Sequence, residues 1–288
     1  MSRNGPDPVF RRKILQQAGA TDEQCDELLT YTASPYQLQQ EPSSITLPLP
    51  EERHVEAWRR YARRAEQVGA LEALRSVFVQ LRFPIAPGMG EDPHYRRATR
   101  RGEFEEAEAH VADLELEAPD ELRLEVRESL GGSVPVLVAK ARADFVSLVR
   151  AFLCRNEPTQ IPDSMGACLV KGLNNWDRVW HYRRSWEARC ETLPSEADWK
   201  LEFKALLQRR DEYQDRLVIL GQGPYSGVAA EEFGVGEVAW AEDSLKIRRE
   251  HELTHYFVYR MFGSLRQNAQ DELIADFVAL VRSLGEYR

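Results

Sequence analysis

Long hydrophobic runs are missing from this 288-residue sequence. No stretch approaches the ~18 apolar residues of a membrane-spanning helix, so a membrane partner is not expected. An excess of basic residues is missing too: 38 Lys+Arg face 47 Asp+Glu, for a formal charge of −9. That removes the chain-wide positive footprint of a nucleic-acid binder. The four cysteines, Cys25, Cys154, Cys168 and Cys190, lie far apart with no C-x-x-C pair. Reduced thiols acting as small core residues are expected, as in a cytoplasmic protein. Met1 to Lys13 is polar and has no apolar signal-peptide stretch, which points to the same compartment. No G-x-x-x-x-G-K-[ST] loop occurs, so a P-loop nucleotidase is not expected.

What is present is ordinary in bulk: 43% hydrophobic and 30% charged residues. That suits one large or two ordinary globular domains with a sizeable core. Residues 8–31 read as two short helices, the second opened by the capping-box pattern Thr21-Asp22-Glu23-Gln24. Residues 32–50 are rich in Pro, Ser and Gln and read as a linker. A helical pattern runs from Glu51 to Leu81, with a soft break at Gly69. His54, His94 and His110 sit in polar surroundings and read as surface residues.

The period changes after residue 105. Leu114–Glu117, Leu122–Val126 and Val134–Val138 alternate or run apolar, and Gly131-Gly132 separates the last two. This predicts a small antiparallel sheet with a hairpin. Helix returns over 142–154. Residues 160–190 read as a glycine-containing loop followed by a helix from about Leu173, which carries Trp176, Trp180 and Trp186. Those rings suit a core cluster or a peptide-binding wall. A helix over 197–211 precedes a strand at Arg216–Leu220. Helices from about Ser244 to Phe262 and from Ala269 to Leu284 close the sequence, each followed by a glycine.

The feature with most chemical content is His251-Glu252-Leu253-Thr254-His255, inside the first of those two helices. At ~100° per residue, positions 251 and 255 lie about 40° apart on one face, one turn along, so their imidazoles can share one tetrahedral ion. Glu252 stands at the edge of that face, where it can reach a water beside the ion without ligating it. H-E-x-x-H arises by chance in on the order of one per cent of sequences of this composition, so a second feature is needed. Seventeen residues after His255 comes Glu272-Leu273-Ile274-Ala275-Asp276, on the next helix. Positions 272 and 276 share a face. They offer a carboxylate ligand and an acceptor for the second ring nitrogen of a ligating histidine.

These residues resemble the gluzincin group of zinc metallopeptidases, in which H-E-x-x-H is followed by E-x-x-x-D on the next helix. The resemblance covers residues 244–284 and implies a role for each matching position. His251, His255 and Glu272 would bind zinc, Glu252 would be the general base for the attacking water, and Asp276 would orient His251. It also implies that the strand at 216–220 is an edge strand that pairs with an extended substrate. Large gluzincins carry a further helical domain that supplies an oxyanion-stabilising group. Here the sequence ends 16 residues after Glu272, which matches the compact type and leaves Tyr259, Tyr225 and His181 as candidates for the oxyanion or substrate.

The expected fold is α+β, predominantly helical, with a small antiparallel sheet and a zincin-type helix pair at the C-terminal end. Residues 1–105 form a helical N-terminal region, and 106–288 a mixed catalytic region with its metal site in 244–284. The leading functional reading is a zinc-dependent metallohydrolase acting on peptides or proteins. The alternatives are a peptide-binding or scaffold protein with a structural or vestigial metal site, and a narrow-specificity peptide maturation enzyme. Cys168 with His181 is a weaker pairing, as thiol and base. The ligand types would also accept Co²⁺, Ni²⁺ or Mn²⁺, and the oligomeric state stays open.

Overall fold

Two segments, Val134–Ala139 (β2) and Gln214–Gly221 (β4), are apolar along most of their length and become strands buried on both faces. Such strands need a helical layer on each side. The computed structural model supplies both layers; it describes residues 7–31, 44–109, 113–263 and 268–285. On one face, Leu137, Leu217 and Ile219 pack with Trp58 of α3 (His54–Val68), Leu74 of α4 (Ala70–Arg75) and Phe145 of α6 (Arg142–Leu153). On the other, Val134, Val136 and Val218 pack with Leu253 and Tyr256 of α9 (Glu237–Phe262). The first cluster joins residues from both sides of position 105, so one core spans the expected division. The protein is α+β and mostly helical.

The sheet is mixed, in the order β1-β2-β4-β3, with β1 at Arg123–Arg127 and β3 at Ala167–Asn174. β1 and β2 form the expected antiparallel hairpin. β2 and β4 run parallel, which corrects the all-antiparallel expectation. Their connection is long, holding α6, β3, α7 (Trp176–Glu187) and α8 (Glu196–Leu206), so the chain can return in the same direction. β3 pairs antiparallel to the far side of β4. The strand expected at 216–220 is therefore internal, and β3, in a stretch read as loop, is the edge.

Other local readings divide the same way. α1 (Pro8–Gln17) and α2 (Asp22–Tyr31) form as expected, with Thr21 Oγ1 accepting from the Gln24 N–H at 3.3 Å and Gln24 Oε1 from the Thr21 N–H at 2.9 Å. The linker reading falls partly on 32–43, and His110 also lies outside the described residues. Gly69, at φ +85°, separates α3 from α4. α5 (Pro93–Arg101) forms within the proline-rich stretch read as loop. Leu114–Glu117 is not a strand: Leu114 is buried, but the N–H groups of Glu117 and Ala118 donate to the buried Asp144 carboxylate at 2.6 and 3.0 Å. His54 is buried rather than exposed. Among the described residues no helix is long and apolar enough to cross a membrane.

Candidate metal centre

α9 places Arg248, His251, Glu252 and His255 at steps of i, i+3, i+4 and i+7, so all four lie along one stripe of the helix. That helix ends at Gly263 in the left-handed conformation, φ +68°. α10 (Asn268–Leu284) then returns antiparallel, as Glu250 meets Arg282 at 3.0 Å and His255 meets Glu272 at 3.4 Å. Ala279 packs with Ile247 in the seam, and Ala275 one turn earlier is fully buried. Small side chains at these positions let the two helices approach closely.

The approach brings three ligand atoms together. His251 Nε2 is 2.9 Å from His255 Nε2 and 3.1 Å from Glu272 Oε2, and all three residues offer atoms within 4.8 Å of one another. Zinc–ligand bonds of ~2.0–2.2 Å at tetrahedral angles put ligand atoms about 3.3 Å apart. The separations here fit that spacing without rearrangement of the helices. The donor set, two imidazoles and one carboxylate, is a His₂Glu set.

Neighbouring groups fix the state of the ligands. Asp276 Oδ1 lies 2.8 Å from His251 Nδ1 and accepts its proton, which leaves the Nε2 lone pair aimed at the ligand cluster. Tyr225 OH donates to the same Asp276 oxygen at 2.5 Å. Burial and the neighbouring His251 lower the pKa of His255, favouring the neutral imidazole that a metal requires. Glu252 is buried beside the cluster. Burial, reinforced by the charge of Glu272, pushes its carboxyl up to about 8, while Lys171 pulls the other way.

The cluster opens into a cavity of about 460 Å³. One wall is β3, through Ala167, Leu169 and Lys171; the other is α10, through Asp271, Glu272 and Asp276. The Gly221 N–H donates to the Gly166 carbonyl at 2.8 Å, which sets the phase of the β3–β4 ladder. By alternation, Ala167, Leu169 and Lys171 turn their peptide groups away from β4, toward the free edge.

A family model, "Family of unknown function (DUF7005)", matches residues 13–288. The chain belongs to this family. No curated protein and no solved structure matches it.

The structure gathers His251, Glu252, His255, Glu272, Asp276 and Tyr225 at one cavity. Tyr225 stands behind His251, its hydroxyl engaged by Asp276, and not on the Nε2 side where the ligand atoms meet. Tyr259 is outside the cavity wall. It lies eight residues along α9, a rise of about 12 Å from His251, and its ring meets Lys171 Nζ at 5.0 Å and Arg216 Cζ at 4.9 Å. His181 is exposed on α7, away from the cavity, and Cys168 lines the cavity without it. Trp176, Trp180 and Trp186 pack with Trp199 and Phe203 of α8 as a core cluster, so they form no part of the cavity wall. Lys171 and Arg248 were not singled out from the sequence. The alternation of Cys168 and Val170, both buried, was the available signal for β3, masked by Gly166 and Gly172 on either side.

Proposed function

We propose that this protein is a zinc-dependent metallohydrolase that cleaves peptide bonds. The observation that carries the reading is the convergence of His251 Nε2, His255 Nε2 and Glu272 at metal-ligand spacing, in a cavity that also holds Glu252. A metal held there would polarise the scissile carbonyl and acidify the attacking water. Glu252, beside the ligands, would take the proton of that water and hand it to the leaving amine. Asp276 keeps His251 in the ligating tautomer, and Tyr225 keeps Asp276 in place. The free edge of β3 suits an extended peptide, which would pair with the peptide groups of Ala167, Leu169 and Lys171. A purely structural metal site would need neither a buried carboxylate beside the ligands nor an open cavity, and both are here. The cytoplasm is the proposed compartment, supported by four free cysteines.

The test is elemental mass spectrometry on the purified chain, beside a peptide-library digest. About one zinc per chain is expected, lost in His251→Ala/His255→Ala. Glu252→Gln should keep the zinc and lose activity by roughly 10²–10⁴-fold. A chain that takes up no metal even after zinc is added would overturn the reading, and so would full activity in Glu252→Gln.

A further inference from the structure

Arg248 lines the same cavity, one turn before His251, and is 8% exposed. A buried guanidinium ordinarily faces a carboxylate. This one is held by neutral groups: Nη1 donates to the carbonyls of Gly221 at 3.3 Å and Gly223 at 2.6 Å, and Nη2 to that of Pro224 at 2.6 Å. Among the described residues no carboxylate forms an ion pair with it. The loop after β4 therefore positions the guanidinium without cancelling its charge.

The remaining donors have a direction. Nε–H has no acceptor among the described residues, and in a planar guanidinium it lies on the same edge as one of the two Nη2 hydrogens. Gly166, in the cavity wall, lies against that edge: a Cβ there would stand 2.3 Å from Nε and 2.8 Å from Nη2. Gly166 is not one of the glycines with positive φ, so its backbone does not demand glycine. The space does. A side chain at 166 would cover the Nε side of Arg248, where the loop makes no bond.

We propose that Arg248 receives a carboxylate of the substrate through Nε–H and Nη2–H, so that the cavity selects peptides with an acidic group near the scissile bond. The side-on fork of arginine matches a carboxylate in two parallel hydrogen bonds. Along α9, Arg248 precedes the two ligand histidines by about 4.5 and 10.5 Å. An extended chain advances ~3.3–3.6 Å per residue, so the carboxylate sits one to three residues from the bond. It is either the peptide's C-terminus or an acidic side chain. The inference deepens the metallohydrolase reading by naming a substrate class, but its binding test does not depend on hydrolysis.

The test measures binding of three probes to the full chain by calorimetry, without metal and with zinc, in the Glu252→Gln background. The probes are acetyl-Ala-Ala with a free carboxylate, its amide, and acetyl-Ala-Glu-amide. At least one carboxylate probe should bind about tenfold or more tighter than the neutral amide. The probe that does so tells a C-terminal carboxylate from a side-chain one. Arg248→Gln should shrink the ratio below about threefold, and Arg248→Lys should keep part of it. If Arg248→Gln does not fold, Gly166→Ala, which displaces the guanidinium, should lower the ratio in its place. No preference in the parent chain would overturn the proposal, as would a ratio that survives Arg248→Gln or Gly166→Ala. An acid preference with no cleavage of any peptide would sink the hydrolase and leave this inference standing. Cleavage without the preference would do the reverse.

Discussion

His54 begins α3 just after the charged run Glu51-Glu52-Arg53, yet only 2% of it is exposed. It sits by a partly buried ion cluster in which Glu52 is bound by Arg216 and Tyr256, with Arg260 close by. Its Nδ1 is 4.0 Å from Glu52, and its Nε2 has no hydrogen-bond partner among the described residues. Burial, with Arg178, Arg216 and Arg260 adding to it against the pull of Glu52, lowers its pKa to about 3 from 6.5. Between those values the unfolded chain binds a proton that the folded chain does not. Stability is therefore full above about pH 6.5 and falls as the pH drops toward 3, by up to about 1.4 kcal/mol per pH unit from this group. His54→Gln should flatten the pH dependence by that one proton, read from urea unfolding at pH 7, 6 and 5. Equal slopes in parent and variant would show that His54 is protonated in the fold. Nothing in the sequence around His54 announces this environment, because three of the charges that act on it come from positions 178, 216 and 260.

β3 is the element on which fold and site meet. Its edge position exposes alternate peptide groups, so proline has opposite effects at neighbouring residues. Leu169 directs its N–H to the open edge, and Leu169→Pro should leave the protein folded, with unfolding free energy lowered by about 1–3 kcal/mol for lost packing. Val170 directs its N–H into β4, and Val170→Pro should cost about 3 kcal/mol or more beyond that. Under the metallohydrolase reading, Leu169→Pro should also slow cleavage of extended peptides. Denaturant melts of the two variants check the first point, and a reversed order, with Leu169→Pro the costlier, would mean that the ladder phase is shifted by one. The two ligand helices were legible from local signals, a 3.6-residue stripe and a glycine stop. β3 was not, because its glycines read as loop punctuation while one of them makes room for Arg248 and the other, at φ +74°, sits at the bulge between Lys171 and Leu173.

For the molecule as a whole, a metal at His251, His255 and Glu272 would tie α9 to α10. A ligand that binds the folded chain alone stabilises it by about 2.7 kcal/mol at a hundredfold excess over its Kd. For a chain of this size that is about 4–5 °C in Tm. Zinc should raise the melting temperature by this order, a chelator should reverse it, and Glu272→Ala should lose most of it; scanning calorimetry decides. The α+β class was legible from the change of hydrophobic period, and the ligand set from two short motifs. The parallel pairing of β2 with β4 was not, since their order in the sheet depends on α6, α7 and α8 packing in the crossover between them. The free edge of β3 has one more consequence. An unpaired strand edge invites the same strand of another molecule. Two β3 edges meeting would each bring a Lys171, and the α10 wall stands over the gap they would have to close. Under the metallohydrolase reading, one feature would then serve two ends: the groove would take a single extended peptide, and the like charges of two Lys171 would disfavour pairing of β3 with its own copy.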